Sequence, residues 1–329
     1  MPLATDYKNI LYGKGRLYFT PQGESGRLDL GEIPKFGITV EVEKDPYYSN
    51  RSGTRTKKGT LLKEKSAKSS ITLDECTAEN FNIAFMGDGV VDGSQVAASL
   101  DAEETTTVED RFVDLGKTDL SILKISHGSI TSGPFQAGET VTGGTSSATA
   151  TVAWEDDSDL FLEVIDVSGG PFEIGETITG GTSSASATVS GLETMKDVVV
   201  TDAATPTTRY EAGVDYDVDA LGGLLRERSG GSIASNTCYV SADCAATTTK
   251  SVRGLKGSES RGELLFIGDP GQGPRWNVEV WDVNLVVSGE AEFISEDSYL
   301  NIPMEAEFFA DETGHPSEPF FRATEIAIS

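Results

Sequence analysis

An internal duplication constrains this chain more than any other feature. Gly133-Pro-Phe-Gln-Ala-Gly-Glu-Thr-Val-Thr-Gly-Gly-Thr-Ser-Ser-Ala-Thr-Ala-Thr-Val152 recurs as Gly170-Pro-Phe-Glu-Ile-Gly-Glu-Thr-Ile-Thr-Gly-Gly-Thr-Ser-Ser-Ala-Ser-Ala-Thr-Val189, 37 residues later, with 16 of 20 positions identical. Each copy reads as a β-hairpin: Val141 precedes the Gly143-Gly144 turn, and Ala148, Ala150, Val152 and Trp154 alternate after it. A strand-like run precedes each copy, at Leu120–Ile125 and Leu160–Ile165. Together the two units predict one small β module of about 80 residues, near the lower size for independent folding. Two copies are too few for a long solenoid.

The rest of the chain also reads as strands. Phe36, Ile38, Val40 and Val42 alternate with Gly37, Thr39, Glu41 and Glu43, the period of a half-buried strand, and Ser69–Asp74 alternates again. Thr72-Leu-Asp-Glu75 has capping-box spacing and predicts a helix start nearby. Ala78, Phe81, Ala84 and Phe85 then share one helical face before Gly87. Gly15–Thr20, Tyr210–Asp219 and Leu264–Ile267 read as further strands. Between Trp276 and Val287 the apolar residues change parity, which predicts a β-bulge near Val280. With 36 glycines and abundant Thr and Ser, the fold class is mainly β with one short α-helix. The simplest organisation is a discontinuous β-sandwich or barrel domain, 1–112 plus 193–329, with the repeat module 113–192 inserted in one of its loops. Loops accept such insertions because closure entropy grows slowly with length.

Charge is segregated. From Arg51 to Lys68, Arg51, Arg55, Lys57, Lys58, Lys63, Lys65 and Lys68 face the single Glu64, a local +6 in a chain of net charge −27. This stretch reads as a long basic loop between two strands. Tyr47 to Thr60 shows no strand or helix period and is expected to be mobile in a free chain. Tyr47, Tyr48, Leu61 and Leu62 are its apolar anchors. The acidic balance argues against tight nucleic-acid binding, which draws on Lys and Arg. Three cysteines, Cys76, Cys238 and Cys244, and no signal peptide at Met1-Pro-Leu-Ala predict synthesis in a reducing cytoplasm. No apolar run approaches the ~20 residues of a membrane helix.

Catalytic patterns are missing from the sequence. His127 and His315 stand in unrelated contexts, and there is no Gly-x-Ser-x-Gly, Walker loop or His-Glu-x-x-His. Asp215, Asp217 and Asp219 resemble the start of a calcium loop, but Ala220 and Arg226 stand where Gly and Glu are needed. Glu155–Asp159 reads as an exposed acidic turn. Trp276 and Trp281 read as core residues, with a sugar platform as the rarer use. No enzyme activity, cofactor or metal is expected.

The order of features resembles the major tail tube protein of long-tailed, non-contractile bacteriophages. The residues that carry the resemblance are the strand Phe36–Val42, the segment Tyr47–Lys58, the strand Ser69–Leu73 and Leu73–Phe81 entering the helix. Tyr210–Asp219, Gly222–Ile233 and Leu264–Asp269 carry it further, over about three quarters of the chain. The resemblance implies a tail-tube fold whose sheets, contributed by several subunits, close into one barrel. It implies rings, hexameric in that family, that stack head to tail through an inter-ring assembly loop: Tyr47, Tyr48, Arg51, Arg55, Lys57, Lys58, Leu61 and Leu62 here. Implied partners are further copies of the chain, a tape-measure protein and tail tip or terminator proteins. Double-stranded DNA would pass through an acidic lumen without specific binding, and no membrane is involved. The implied location is the virion tail, after synthesis in the host cytoplasm. Two competing readings are an adhesin or carbohydrate-binding β-sandwich protein and a polysaccharide-degrading enzyme.

Overall fold

The computed structural model describes residues 11, 13–51, 53–164, 169–233, 236–271, 273–296 and 299–326. Among the described residues strands dominate, and the single helix is short. The chain opens with β1 (Gly15–Pro21), β2 (Leu28–Asp29), β3 (Lys35–Ser49), β4 (Thr56–Leu73), α1 (Ala78–Ala84) and β5 (Val90–Gln95). There follow β6 (Ala98–Thr106), β7 (Phe112–Asp114), β8 (Leu120–His127), β9 (Thr140–Gly143), β10 (Thr149–Glu155) and β11 (Asp159–Glu163). Next come β12 (Thr177–Gly180), β13 (Ser186–Met195), β14 (Val199–Thr201), β15 (Tyr216–Asp219), β16 (Leu224–Glu227) and β17 (Thr237–Cys244). The chain closes with β18 (Thr247–Val252), β19 (Arg261–Gly268), β20 (Arg275–Val287), β21 (Ile302–Phe308) and β22 (Phe321–Ile326).

Two compact units result: Met1–Asp92 with Lys250–Ser329, and Gly93–Thr249. The sequence places an insertion at 113–192, whereas the compact unit that holds the repeats extends beyond it on both sides. The reason lies in the pairing. The start of β8 pairs with β17, which also pairs with β6 and β14, so β6, β14 and β17 share one nine-stranded sheet with the repeats.

The first unit is built on an eight-stranded sheet in the order β2-β1-β19-β20-β21-β4-β3, with β22 beside β20. Its core takes Leu17 and Phe19 from β1, Ile71 and Leu73 from β4, Leu264 from β19, Val280, Val283 and Leu285 from β20, and Met304, Ala306 and Phe308 from β21. The expected irregularity in β20 is present: Gly262 pairs with Val283, but Leu264 pairs with Val280. The helix start differs from the sequence expectation. Thr72 and Leu73 finish β4, and the cap is Thr77, whose hydroxyl accepts the Asn80 N–H at 3.1 Å. Pairing of Thr72 with Pro303 and Leu73 with Ile302 outweighs the local capping signal.

In the second unit the repeats form a closed six-stranded antiparallel barrel, in the order β8-β11-β10-β9-β12-β13 and back to β8. The repeat offset maps β9 onto β12 and β10 onto the start of β13. At each of the two seams where like strands meet, one central pair joins a residue to its own counterpart 37 positions away, Thr142 opposite Thr179 and Lys124 opposite Phe161, and the flanking pairs are related two-fold about it. The barrel is therefore an internal pseudo-dimer. Its filling repeats too, with Phe135 and Phe172, Val141 and Ile178, Ala148 and Ala185, Ala150 and Ala187, and Val152 and Val189 all buried. Small alanines suit the narrow interior of such a barrel. Both copies carry a bulge at the same place, after Val152 and after Val189, but the β13–β8 seam is slid by two residues relative to β10–β11. Ile165, expected to end the preceding strand, lies outside the described residues.

A reciprocal clamp locks the two copies together. Glu139 accepts the Thr182 and Ser183 N–H groups at 3.0 and 2.9 Å and the Gln136 N–H at 2.7 Å. Glu176 accepts the Thr145 and Ser146 N–H groups at 3.1 and 3.0 Å and the Glu173 N–H at 2.6 Å. Each glutamate thus holds the Gly-Gly-Thr-Ser turn of the other copy. A Cβ on Gly143 would meet Glu176 Oε2 at 2.6 Å, and one on Gly180 would meet Glu139 Oε1 at 2.7 Å, so the first turn glycine is obligatory in both. Both glutamates are buried. Burial pushes each carboxyl up, yet the converging N–H groups outweigh it and hold both below the usual range.

Glu163 shows the opposite balance. It is buried at the end of β11 with Oε1 unpartnered. Burial, and then the Asp101 carboxylate, push it up to about 8, against the pull of the Ser241 hydroxyl. Cys238 and Cys244 are free and sit at opposite ends of β17, roughly 20 Å apart at about 3.4 Å per residue, beyond bridging distance.

Two predictions follow from these carboxylates. Glu176→Ala orphans three N–H groups and should cost about 2–4 kcal/mol in chemical denaturation of the repeat-containing unit. The folded value of Glu176 lies below its unfolded value, so its contribution is full at neutral pH and is lost as pH falls through the folded value; wild type and variant should converge in acid. An unchanged denaturation midpoint at neutral pH would contradict the clamp. Glu163 has a folded value above its unfolded one, so it costs stability increasingly as pH rises from about 4.3 towards 8. Glu163→Gln should therefore raise Tm more at pH 8 than at pH 4; an equal gain at both would contradict the assignment.

Candidate assembly surface

The basic stretch is not a loop. β3 and β4 pair from Lys35 opposite Thr72 out to Ser49 opposite Thr56, so only Asn50–Arg55 turns the chain. The sequence expectation of a structureless Tyr47–Thr60 is corrected here. Its strand period was hidden because the outer hairpin is exposed on both faces, so apolar and polar residues have no reason to alternate. Register shifts between Glu43 and Lys44 and between Tyr47 and Tyr48 break what period remains.

The hairpin leaves the sheet as an arm. β4 is paired with β21 only from Lys68 to Leu73. Among the described residues, Thr56–Ala67 has no neighbour but β3, and β3 has none but β4. The ten residues from Val40 to Ser49 project roughly 30 Å at about 3.3 Å per residue. A lone two-stranded ribbon is marginal in water, and this one is secured at its root, where Ala67, Ile71 and Leu73 are buried and Phe36 stacks on Phe266 at 5.2 Å.

The arm presents apolar and cationic groups together. Tyr47 and Leu61 are 67% and 69% exposed, and Val40, Val42 and Leu62 are also exposed. Val40 and Val42 continue the face of Phe36 and Ile38. Between Lys35 and Leu73 lie nine lysines and arginines against four acids. Lys63 pairs with Glu43 at 2.8 Å, Lys68 lies 3.5 Å from both Glu41 and Glu305, and the Arg55 guanidinium sits 4.8 Å from the centre of the half-buried Tyr48 ring. Such exposed pairs contribute only ~0–1 kcal/mol each. Among the described residues Arg51, Lys57, Lys58 and Lys65 form no ion pair. The structure thus brings Tyr47, Tyr48, Arg51, Arg55, Lys57, Lys58, Leu61 and Leu62 onto one projecting element.

The remaining candidate residues have local structural roles. Asp217 pairs with Arg226 and with Arg228 at 2.8 Å, Asp215 accepts the Glu211 and Ser232 N–H groups, and Asp219 accepts that of Gly222. Those three carboxylates are engaged separately, not around a common centre. His127 is buried, with Nδ1 2.8 Å from the Gly128 carbonyl oxygen. His315 stacks on Trp281 at 3.6 Å and hydrogen-bonds Asp311 at 2.8 Å. Trp281 donates its indole N–H to the Glu318 carbonyl, so it is packed rather than displayed as a platform. Sequence reasoning missed the Glu139 and Glu176 clamps; their signal was the invariance of Gly-Glu-Thr and Gly-Gly-Thr-Ser between the copies.

No curated protein matches the chain. A family model matches residues 10–142 and 174–320, leaving a gap that falls inside the repeat barrel. The chain belongs to the family described as protein of unknown function UCP028589.

Proposed function

We propose that this protein is a self-assembling structural subunit, a phage tail-tube protein whose copies close into rings and stack head to tail through the β3–β4 arm. The observation that carries the reading is the arm itself: a basic ribbon with exposed apolar side chains along it and two open edges, on a strongly acidic chain. Exposed edges invite pairing with another chain, and soluble proteins ordinarily cover or shorten them. Among the described residues, the opposite edge of the same sheet is covered only by the two-residue β2, over Tyr18 and Phe19 of β1. Lateral joining of such edges between copies would close a larger barrel. The resemblance in element order supports the same reading. An acidic wall would let DNA pass without adhering. The preformed ladder also matters energetically, because little backbone entropy is left to lose when the arm docks. Tape-measure and tail tip or terminator proteins are the further partners of this reading, and the virion tail is its location.

The test is polymerisation of arm variants, followed by sedimentation. Arg51→Glu, Arg55→Glu, Lys57→Glu and Lys58→Glu combined should keep the circular dichroism of the wild type. Stability should change by no more than about 0.5 kcal/mol per site, because these side chains are exposed. The reversed chain should fail to form polymer that the wild type forms. Tyr47→Ala with Tyr48→Ala should weaken polymer even at high salt, where charge is screened. Wild-type polymerisation by the reversed chain would contradict the role given to the arm.

A further inference from the structure

We propose that the arm of one copy docks on the described residues of the acidic connection between β20 and β21, 288–296 and 299–301, of a second copy. The inference rests on the self-assembly reading and supplies the receiving surface.

Two observations single out that connection. The first is charge. From Trp276 to Phe321 the chain has eleven aspartates and glutamates and no lysine or arginine. Glu290, Glu292 and Glu296 fall in the connection. The second is exposed apolar surface. Phe293, Ile294 and Tyr299 are 71%, 93% and 95% exposed, three large side chains within seven residues. Three large exposed apolar side chains on one short connection are what a docking surface for another chain requires. The connection is anchored, since Phe293 stacks on Phe81 of α1 at 5.5 Å, and Phe81 stacks on Phe85 at 5.4 Å. Acid beside apolar is the chemical complement of the arm, which sets Tyr47, Leu61 and Leu62 among Arg51, Arg55, Lys57 and Lys58.

Strand register decides that the partner is another copy. Ile302 pairs with Leu73, and Val287 pairs with Met304, so the connection leaves the sheet at the Leu73 end of β4. The arm leaves at the other end, beyond Lys68 opposite Glu307. The two surfaces therefore sit at opposite ends of one sheet, and the arm points away from its own connection. A contact between opposite ends of identical copies is heterologous and propagates head to tail. Opposite charge at the two ends then steers encounter and fixes polarity.

Charge-swap complementation tests this. One chain carries Arg51→Glu, Arg55→Glu, Lys57→Glu and Lys58→Glu; the other carries Glu290→Lys, Glu292→Lys and Glu296→Lys. Each alone should lose pelletable polymer, and an equimolar mixture should recover it, because each arm then meets a surface of opposite sign. Normal polymerisation of the Glu290/Glu292/Glu296 variant, or failure of the mixture to recover, overturns the inference while the self-assembly reading stands. Absence of polymer from the wild type overturns that reading itself. Independently of any charge reversal, a photo-crosslinking residue at Leu61 in otherwise wild-type polymer should link to a residue within 288–296 or 299–301 of another copy. Links elsewhere, or none, overturn the inference.

Discussion

Every β-sheet ends in a row of unpaired backbone N–H and C=O groups, and the two units of this chain meet that constraint in opposite ways. The repeat-containing unit removes the problem within its barrel. Duplication supplies two copies of a three-strand set, and the copies pair with each other at both seams until β8 meets β11 and no barrel edge is left. The Glu139 and Glu176 carboxylates then tie each copy to the turn of the other. The unit built on β1–β4 and β19–β22 leaves its edges open and extends one of them as a long ribbon. The first solution is complete in one chain; the second is the one that the proposed pairing with another copy would complete.

Charge and apolar surface follow the same division. The arm concentrates cations in a chain of net −27, and the 276–321 region has no lysine or arginine. Neither feature helps the isolated fold. Exposed Tyr47, Leu61, Ile294 and Tyr299 are liabilities in a solitary molecule, and the exposed lysines add little to its stability. Both become intelligible if the ends of one molecule are made for the ends of the next.

The β class, the repeat module and most strand positions were legible in the sequence, because period-two burial writes itself into residues such as Phe36, Ile38, Val141 and Val152; closure of the repeats into a barrel was not. The misreadings share a cause. The outer part of the arm is exposed on both faces, so no alternation marked Tyr47–Thr60 as strand. Thr72 looked like a helix cap because capping spacing is local, whereas its pairing with Pro303 is not. The Glu139 clamp joins residues more than forty positions apart, and only identity between copies hinted at it. The extent of the repeat-containing unit depends on β8 pairing with β17, a contact across more than a hundred residues that no local pattern records.

The central claim is that the open edge and arm are assembly surfaces. Electron microscopy of the purified wild-type chain over a range of concentrations tests it most directly. The account predicts stacked rings or tubes that lengthen with concentration. Separate, single-copy particles at every concentration would contradict it.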